Sequence, residues 1–268
     1  MVVIMNTKKF KLGNKTFSLL FLTTVGSQLH KLNLKNSDVD LKGVFVWDTD
    51  TLFSLVTPQD TMDYKNTDPD EWADLMQQFN TEFNLNLDPD DDVSLFDLRK
   101  FFVTSMKNDF NMFDMLFSAE KPVFNTEPFQ KVLDNKEQFL DMKNAVNRFG
   151  GMARGALHES KKLFRKTNRT DKENNDLKKN KAKSLQFLFS LDNLLKTGSH
   201  NPVLNEEQRF EVLQVKSGLV PMEVVEERHT VLTAVLEKTL NLPNVLDKTL
   251  NRKLLNDLLV STFKSSLL

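Results

Sequence analysis

The alternation of hydrophobic and polar residues divides the chain into a part with strands and a part with helices. Residues 17–25 form a short apolar run rich in β-compatible side chains, which predicts a buried strand. Residues 38–47 begin with polar and apolar side chains in alternation and predict a second strand. Helical spacing prevails from about residue 120 onward. We therefore predict an α+β fold, with a small mixed β-sheet and its helices in residues 1–120 and a helical domain in residues 121–268.

The helical half is predicted to contain several helices separated by glycine and proline. Its apolar spacing predicts helices over residues 181–196, 206–217, 221–241 and 247–263. Two segments are expected to break the pattern. The pair Gly150-Gly151 interrupts a long helical stretch, and residues 166–180, which are polar and lack an apolar period, are predicted to form a mobile loop.

A third strand is predicted to end at Asp92 and Val93. The next residues, Ser94 to Asp97, have the spacing of a helix capping box, with Asp instead of the usual Glu at the third helical position. A helix starting there gives the residues that follow an apolar stripe at helical spacing. On this interpretation, Asp92 lies at the end of a strand.

Composition and charge narrow the class of protein. The chain has 268 residues, of which 40% are hydrophobic and 27% charged, and its formal net charge is −1; these values are typical of a soluble globular protein. The absence of cysteine excludes disulfides, thiolate zinc sites and a cysteine nucleophile. No apolar run is long enough to cross a bilayer, so we predict a cytoplasmic protein without a membrane partner. The abundance of Asn, Lys and Phe is typical of AT-rich genomes, viral ones included.

One segment is strongly basic. Residues 161–183 contain 10 basic and 3 acidic side chains. Such a segment either contacts the phosphates of RNA or forms a solvated face, and both interpretations stay open at this stage.

Two aspartates carry the candidate chemistry. Asp38 and Asp40 share one face of their predicted strand because side chains alternate along a strand. Magnesium prefers oxygen ligands and takes few carboxylates, so this pair suits a site for two Mg²⁺ ions. Upstream, Gly26 allows the backbone to approach a phosphate closely, and Ser27 at a helix N-terminus offers a hydroxyl and free amides. We therefore expect a nucleoside triphosphate (NTP), such as ATP, as substrate.

A third carboxylate on a neighbouring strand would complete the metal site and accept the proton of an incoming hydroxyl. Four aspartates compete for this place. Asp97 has an alternative role in the capping box, while Asp90 and Asp91 precede the strand. Asp92 is therefore the preferred candidate.

The order of these residues is similar to the DNA polymerase β-like nucleotidyltransferase superfamily. The chain more narrowly resembles the RNA-repair-pathway polymerase-β family that is associated with RNA ligases. The matching residues are Gly26-Ser27, His30, Leu32, Ser37-Asp38, Asp40, Gly43-Val44-Phe45, Leu98-Arg99-Lys100-Phe101 and Asp114-Met115-Leu116-Phe117.

The resemblance implies a nucleotidyltransferase that moves a nucleotidyl group from an NTP to a hydroxyl of an RNA end, a protein or a small molecule. It assigns the catalytic and metal-binding roles to Asp38, Asp40 and Asp92, and the phosphate-binding roles to Gly26, Ser27, His30 and Ser37. For His30 the alternative is that it packs the short helix against the sheet.

Departures from the family pattern support an alternative function. Lys31 stands where the family usually has glycine, and Asp114 replaces a glutamate. The family's histidine is also missing from the helix near residues 181–189, where residues 181–185 keep a lysine. The alternative is a catalytically reduced protein of the same fold that acts as a binding or inhibitory module.

Overall fold

A six-stranded sheet forms the N-terminal part of the computed structural model, which describes residues 6–34, 40–89, 91–118 and 122–267. Its strands are β1 (Lys8–Leu12), β2 (Lys15–Val25), β3 (Asp40–Trp47), β4 (Thr61–Met62), β5 (Val93–Asp97) and β6 (Phe124–Asn125). The strand order is β1-β2-β3-β5-β4, and β6 pairs with β2. The β3–β5 pair is parallel and the other pairs are antiparallel, so the sheet is mixed as predicted.

Helices account for most of the remaining described residues. They are α1 (Gly26–Leu29), α2 (Thr49–Leu52), α3 (Pro69–Phe83), α4 (Leu98–Ser105), α5 (Phe110–Phe117), α6 (Glu127–Asp134), α7 (Met142–Arg165), α8 (Asp171–Thr197), α9 (Glu206–Lys216), α10 (Met222–Leu240) and α11 (Arg252–Leu267), with a 3₁₀ helix at Lys136–Phe139. The predicted α+β class with a helical C-terminal half is confirmed. In the part of the chain that the structure describes, no helix is both long enough and apolar enough to span a membrane.

The two faces of the sheet pack against different cores. One face contributes Phe45 and Trp47 of β3 to a cluster that also contains the buried side of α3. The other face contributes Val44 and Val46 to a larger cluster that extends through α4, α5 and the C-terminal helices. Because side chains alternate along a strand, the even-numbered residues of β3, including Asp40, face the helical half. The boundary predicted at residue 120 stays a prediction; β6, which lies beyond it, belongs to the sheet.

The predicted capping box at Ser94 is wrong. Ser94 lies within β5, where buried and partly exposed residues alternate from Val93 to Asp97. Asp97 is instead the N-cap of α4, and its carboxylate accepts a hydrogen bond from the amide of Arg99 at 2.8 Å. Asp92 therefore precedes its strand and does not end it. Period-two alternation was the stronger signal in this segment.

Two further predictions about the helical half are wrong. Helix α7 continues through Gly150 and Gly151, because neighbours such as Phe149 are fully buried in the core and this packing offsets the cost of glycine in a helix, about 1 kcal/mol each. The predicted loop at residues 166–180 is largely the start of α8. Thr170 and Glu173 form a capping box there, which stabilises a helical start that is mostly polar.

Candidate functional site

Two candidate carboxylates lie side by side at one edge of the sheet. Asp40 is the first residue of β3 and Asp92 directly precedes β5. These strands are parallel neighbours with Leu41 opposite Val93, and the amide of Leu41 donates to the carbonyl of Asp92 at 3.0 Å. The structure therefore brings Asp40 and Asp92 together. Ser37 and Asp38 lie outside the described residues.

The Gly26-Ser27 turn touches the first of these carboxylates. Gly26 begins α1 with φ +65°, and a Cβ atom added to it would lie 1.9 Å from Oδ2 of Asp40. Both the backbone conformation and the available space therefore require glycine. Ser27 follows in the first turn of α1 and lines the same cavity as Asp40 and Asp92.

This cavity, of about 920 Å³, lies between the sheet edge and the helices α8 and α9. The aspartates and the Gly26-Ser27 turn line one side. The other side carries lysines from the helical half, namely Lys178, Lys179 and Lys183 of α8 and Lys216 of α9. We refer to these four residues as the lysine wall. A cavity with carboxylates on one side and ammonium groups on the other suits a metal-bound polyanion.

Burial affects two cationic groups of the cavity. Lys42, two residues after Asp40 on β3, has a pKa below its ordinary value because burial disfavours its charge, although Asp114, Asp92, Asp109 and Asp40 oppose this effect. The pKa of Lys216 is also lowered, first by burial and then by repulsion from Lys179 and Lys183. An anion in the cavity would offset both effects.

His30 and Asp114 form a buried ion pair beside the cavity. Nε2 of His30 lies 2.8 Å from Oδ2 of Asp114, and the side chains are about 5% and 4% exposed. Burial lowers the pKa of His30, but the charge of Asp114 and its hydrogen bond more than offset this, so the net pKa is raised. Burial raises the pKa of Asp114, but the positive charge of His30 lowers it, and the net pKa is below its ordinary value. His200, also buried, has its Nε2 3.6 Å from Oδ1 of Asp114.

The basic segment 161–183 divides into two parts. In its first part, four of the cations have partners within the protein. Lys161, Lys162 and Lys166 form ion pairs with Glu226, Glu159 and Glu173, and Arg169 donates to the last carbonyl groups of α7. In the second part, three of the lysines belong to the lysine wall. Whether any of these side chains binds RNA stays a prediction.

Sequence reasoning missed the lysine wall and the role of Asp114 as a buried ion-pair partner. A signal for the wall exists in the sequence, because the residues of α8 that line the cavity recur at helical spacing: Asn175, Lys178, Lys179, Ala182, Lys183 and Gln186. The His30–Asp114 pair joins residues 84 positions apart, and no local pattern indicates it.

Two of the three predicted metal ligands, Asp40 and Asp92, lie in the described part of the chain. In the described ranges no three His, Asp or Glu side chains gather closely enough to hold a metal ion, and Asp40 and Asp92 are the pair on the cavity side of the sheet edge. One or two carboxylates, completed by water and substrate phosphates, are the usual protein ligands of Mg²⁺. The two aspartates therefore fit magnesium that arrives with a polyphosphate.

The mixed sheet, its Gly-Ser turn and the carboxylates on neighbouring strands define a protein of the polymerase β-like class. The model of the RNA repair pathway DNA polymerase beta family matches residues 5–261. The chain therefore belongs to this family, as its motifs predict. Comparisons with curated proteins and with solved structures found no significant match.

Proposed function

We propose that the protein is a magnesium-dependent nucleotidyltransferase that uses an NTP. The observation that carries this proposal is the position of Asp40 and Asp92 at the starts of two neighbouring parallel strands, with Asp40 against Gly26 and the lysine wall lining the same cavity. Membership of a polymerase β-like family supports the same reaction class.

Asp40 and Asp92 would hold the metal, with Asp38 as the further ligand that the family resemblance implies. When bound, Mg²⁺ neutralises the negative charge of the phosphates and orients them for displacement. The other contributions come from the chain itself. Gly26 and Ser27 line the cavity, and their amides and the Ser27 hydroxyl would donate to phosphate oxygens.

The transfer itself needs little covalent chemistry from the protein. The acceptor hydroxyl oxygen forms a bond to the α-phosphorus, the bond from that phosphorus to the β-bridging oxygen breaks, and pyrophosphate leaves. One aspartate carboxylate accepts the hydroxyl proton. The lysine wall would hold the β- and γ-phosphates and stabilise the charge of the departing pyrophosphate.

The acceptor is a hydroxyl of an RNA end, a protein or a small molecule. The test is incubation with NTPs labelled at the α-phosphate, Mg²⁺ and a panel of such acceptors. We expect label transfer by the wild-type protein and a loss of about a hundredfold or more in Asp40→Asn and Asp92→Asn, because loss of a metal ligand removes several kcal/mol of charge stabilisation.

The matched control is Asp88→Asn. Asp88 is an exposed aspartate four positions before Asp92 that does not line the cavity, so this variant should transfer label as the wild type does. Undiminished transfer by Asp92→Asn and Asp40→Asn would contradict the mechanism. A wild-type protein that transfers label to no acceptor, and whose melting temperature Mg²⁺ and NTP together do not raise, would support the alternative, a catalytically reduced binding or inhibitory module; clear stabilisation by both together would count against that alternative.

A further inference from the structure

The side chain of His30 is hydrogen-bonded through both ring nitrogens. Nδ1 lies 2.6 Å from the carbonyl oxygen of Pro202, and Nε2 lies 2.8 Å from Oδ2 of Asp114. A carbonyl oxygen can only accept a hydrogen bond, so Nδ1 carries a hydrogen. At Nε2 two charge states satisfy the contact: an imidazolium that donates to an ionised Asp114, or a neutral ring that accepts from a protonated Asp114. Burial acts to raise the pKa of Asp114, but His30 and His200 lower it overall, which favours the ionised carboxylate and the imidazolium.

The surroundings of His30 are largely apolar. Its side chain is about 5% exposed and stacks on Phe110 with the ring centres 5.6 Å apart. The titratable groups that face the pair are Lys216, which opposes a positive charge on His30, and His200 and Lys42, which interact with Asp114. An isolated ion would be unstable at this depth, so the two partners depend on each other.

His30 also belongs to the turn that would bind phosphate. Its backbone amide donates to the carbonyl of Gly26 at 3.2 Å, and the amide of Leu32 donates to the carbonyl of Ser27 at 2.8 Å. The ammonium group of Lys216 then holds the carbonyl of Leu32 at 2.7 Å. The turn thus touches the rest of the protein at α5 through Asp114, at the α8–α9 connection through Pro202, and at α9.

We propose that His30 is a positioning residue whose imidazolium, held between Asp114 and the carbonyl of Pro202, fixes the Gly26-Ser27 turn in the geometry that receives the triphosphate. Asp114 is the counter-ion that keeps both of its nitrogens protonated. The shape of the phosphate-binding turn therefore depends on the helical half of the protein. The identity of the ligand rests on the proposed function, while the charge state and the positioning do not.

The charge state can be measured in the wild-type protein. Long-range proton–nitrogen correlation spectra distinguish imidazolium from either neutral tautomer. At about pH 7.5, where an ordinary histidine is mostly neutral, we expect the imidazolium form of His30 to predominate. A neutral tautomer of His30 at this pH overturns the proposal.

Substitution tests the positioning role. His30→Gln keeps a donor that reaches Asp114 but lacks both the charge and the donor to Pro202. We expect faster hydrogen exchange of the amides of residues 26–32. We also expect weaker binding of Mg²⁺ with a non-hydrolysable ATP analogue, by about 10- to 100-fold, the usual effect of losing an outer-shell partner. In His30→Gln, KM should rise more than kcat falls, because the reacting groups themselves are unchanged once the nucleotide is bound.

The matched control is His229→Gln, because His229 is a buried histidine of α10 that does not line the cavity. It should change the melting temperature without changing nucleotide affinity. Wild-type affinity in a folded His30→Gln variant, or an equal loss of affinity in His229→Gln, overturns the proposal. If the wild-type protein binds no nucleotide, the proposed function fails, and the spectra and the hydrogen exchange still decide the positioning role.

Discussion

Two features of the structure require glycine at position 26: the positive φ angle of its backbone and its close approach to the carboxylate of Asp40. The variant Gly26→Ala tests both. Gly26 has φ +65°, and its added Cβ would lie 1.9 Å from the carboxylate oxygen Oδ2 of Asp40 and 2.9 Å from Cγ. The left-handed conformation alone costs about 1–2 kcal/mol for a residue with a side chain. The contact adds a second cost, because the carboxylate must move by more than 1 Å to reach an ordinary separation from carbon of about 3.5 Å.

Gly198→Ala is the control for the first cost. Gly198 has φ +71° and nothing within 4 Å of the position of its Cβ. Its substitution should lower the free energy of unfolding by about 1–2 kcal/mol and leave nucleotidyl transfer unchanged. Gly26→Ala should destabilise more and should reduce transfer by about a hundredfold, because a displacement of about 1 Å at a reacting group has an effect of that size.

Urea unfolding and the label-transfer assay measure the two effects. In an Asp40→Ala background the carboxylate is absent and only the Cβ of residue 40 remains, 3.3 Å from the added Cβ, so Gly26→Ala should cost only slightly more stability than Gly198→Ala does. Equal destabilisation by Gly26→Ala and Gly198→Ala in the wild-type background, together with normal transfer by Gly26→Ala, would refute the reasoning.

Three further predictions concern the same region. Lys31 is exposed with φ +54°, so Lys31→Gly should relieve backbone strain. Glycine also increases the entropy of the unfolded chain, which offsets part of this gain, and the free energy of unfolding should rise by about 0.5–1 kcal/mol; a lower urea midpoint contradicts this. Lys183→Ala should weaken Mg²⁺·NTP binding by about tenfold at low salt and less at high salt, whereas Lys172→Ala, outside the cavity, should not. Asp114→Asn should lower the free energy of unfolding by about 3–5 kcal/mol at neutral pH. Urea unfolding at a series of pH values measures how this difference varies with pH.

The pH window follows from the directions of the two pKa shifts. The pKa of His30 is raised on folding, so its contribution to stability is complete below its unfolded pKa and is lost as the pH rises through the folded value. The pKa of Asp114 is lowered, so its contribution is present above its unfolded pKa and is lost as the pH falls through the folded value. The difference between wild type and Asp114→Asn should therefore be largest between these limits and should shrink on both sides. A difference that does not vary with pH contradicts the ion pair.

The strands and the later helices follow from periodic patterns that tertiary contacts reinforce. The apolar run at residues 17–25 is the buried β2, and the helix predicted at 206–217 is α9 at Glu206–Lys216. The prediction placed Asp92 on a strand beside that of Asp40 but at the wrong end of it, because β5 begins at Val93 and does not end there. The roles of both aspartates as metal ligands stay predictions.

The start of α8 was missed for a physical reason that is tied to the site. A helix that packs on a core shows an apolar stripe, but this part of α8 faces a polar cavity with lysine and asparagine side chains. Its inner face therefore lacks the hydrophobic period by which helices are recognised. His30 and Asp114 were missed as a pair because the contact depends on the packing of α5 beside the turn after β2.

The carboxylates and most of the lysines line different parts of the cavity, with Lys42 of β3 as a lysine on the sheet side. The sheet edge presents Asp40 and Asp92, which by themselves repel a free triphosphate, and the lysine wall by itself attracts any polyanion. Together, under the proposed function, they favour a triphosphate that carries its own metal, because that ligand satisfies both sides at once. His30, held by Asp114 on one side, contacts the helical half through the carbonyl of Pro202, next to the place where this selection occurs. The α8–α9 connection lies far in sequence from the Gly26-Ser27 turn but contacts His30 through Pro202. Changes in this connection that break the contact should therefore weaken nucleotide binding.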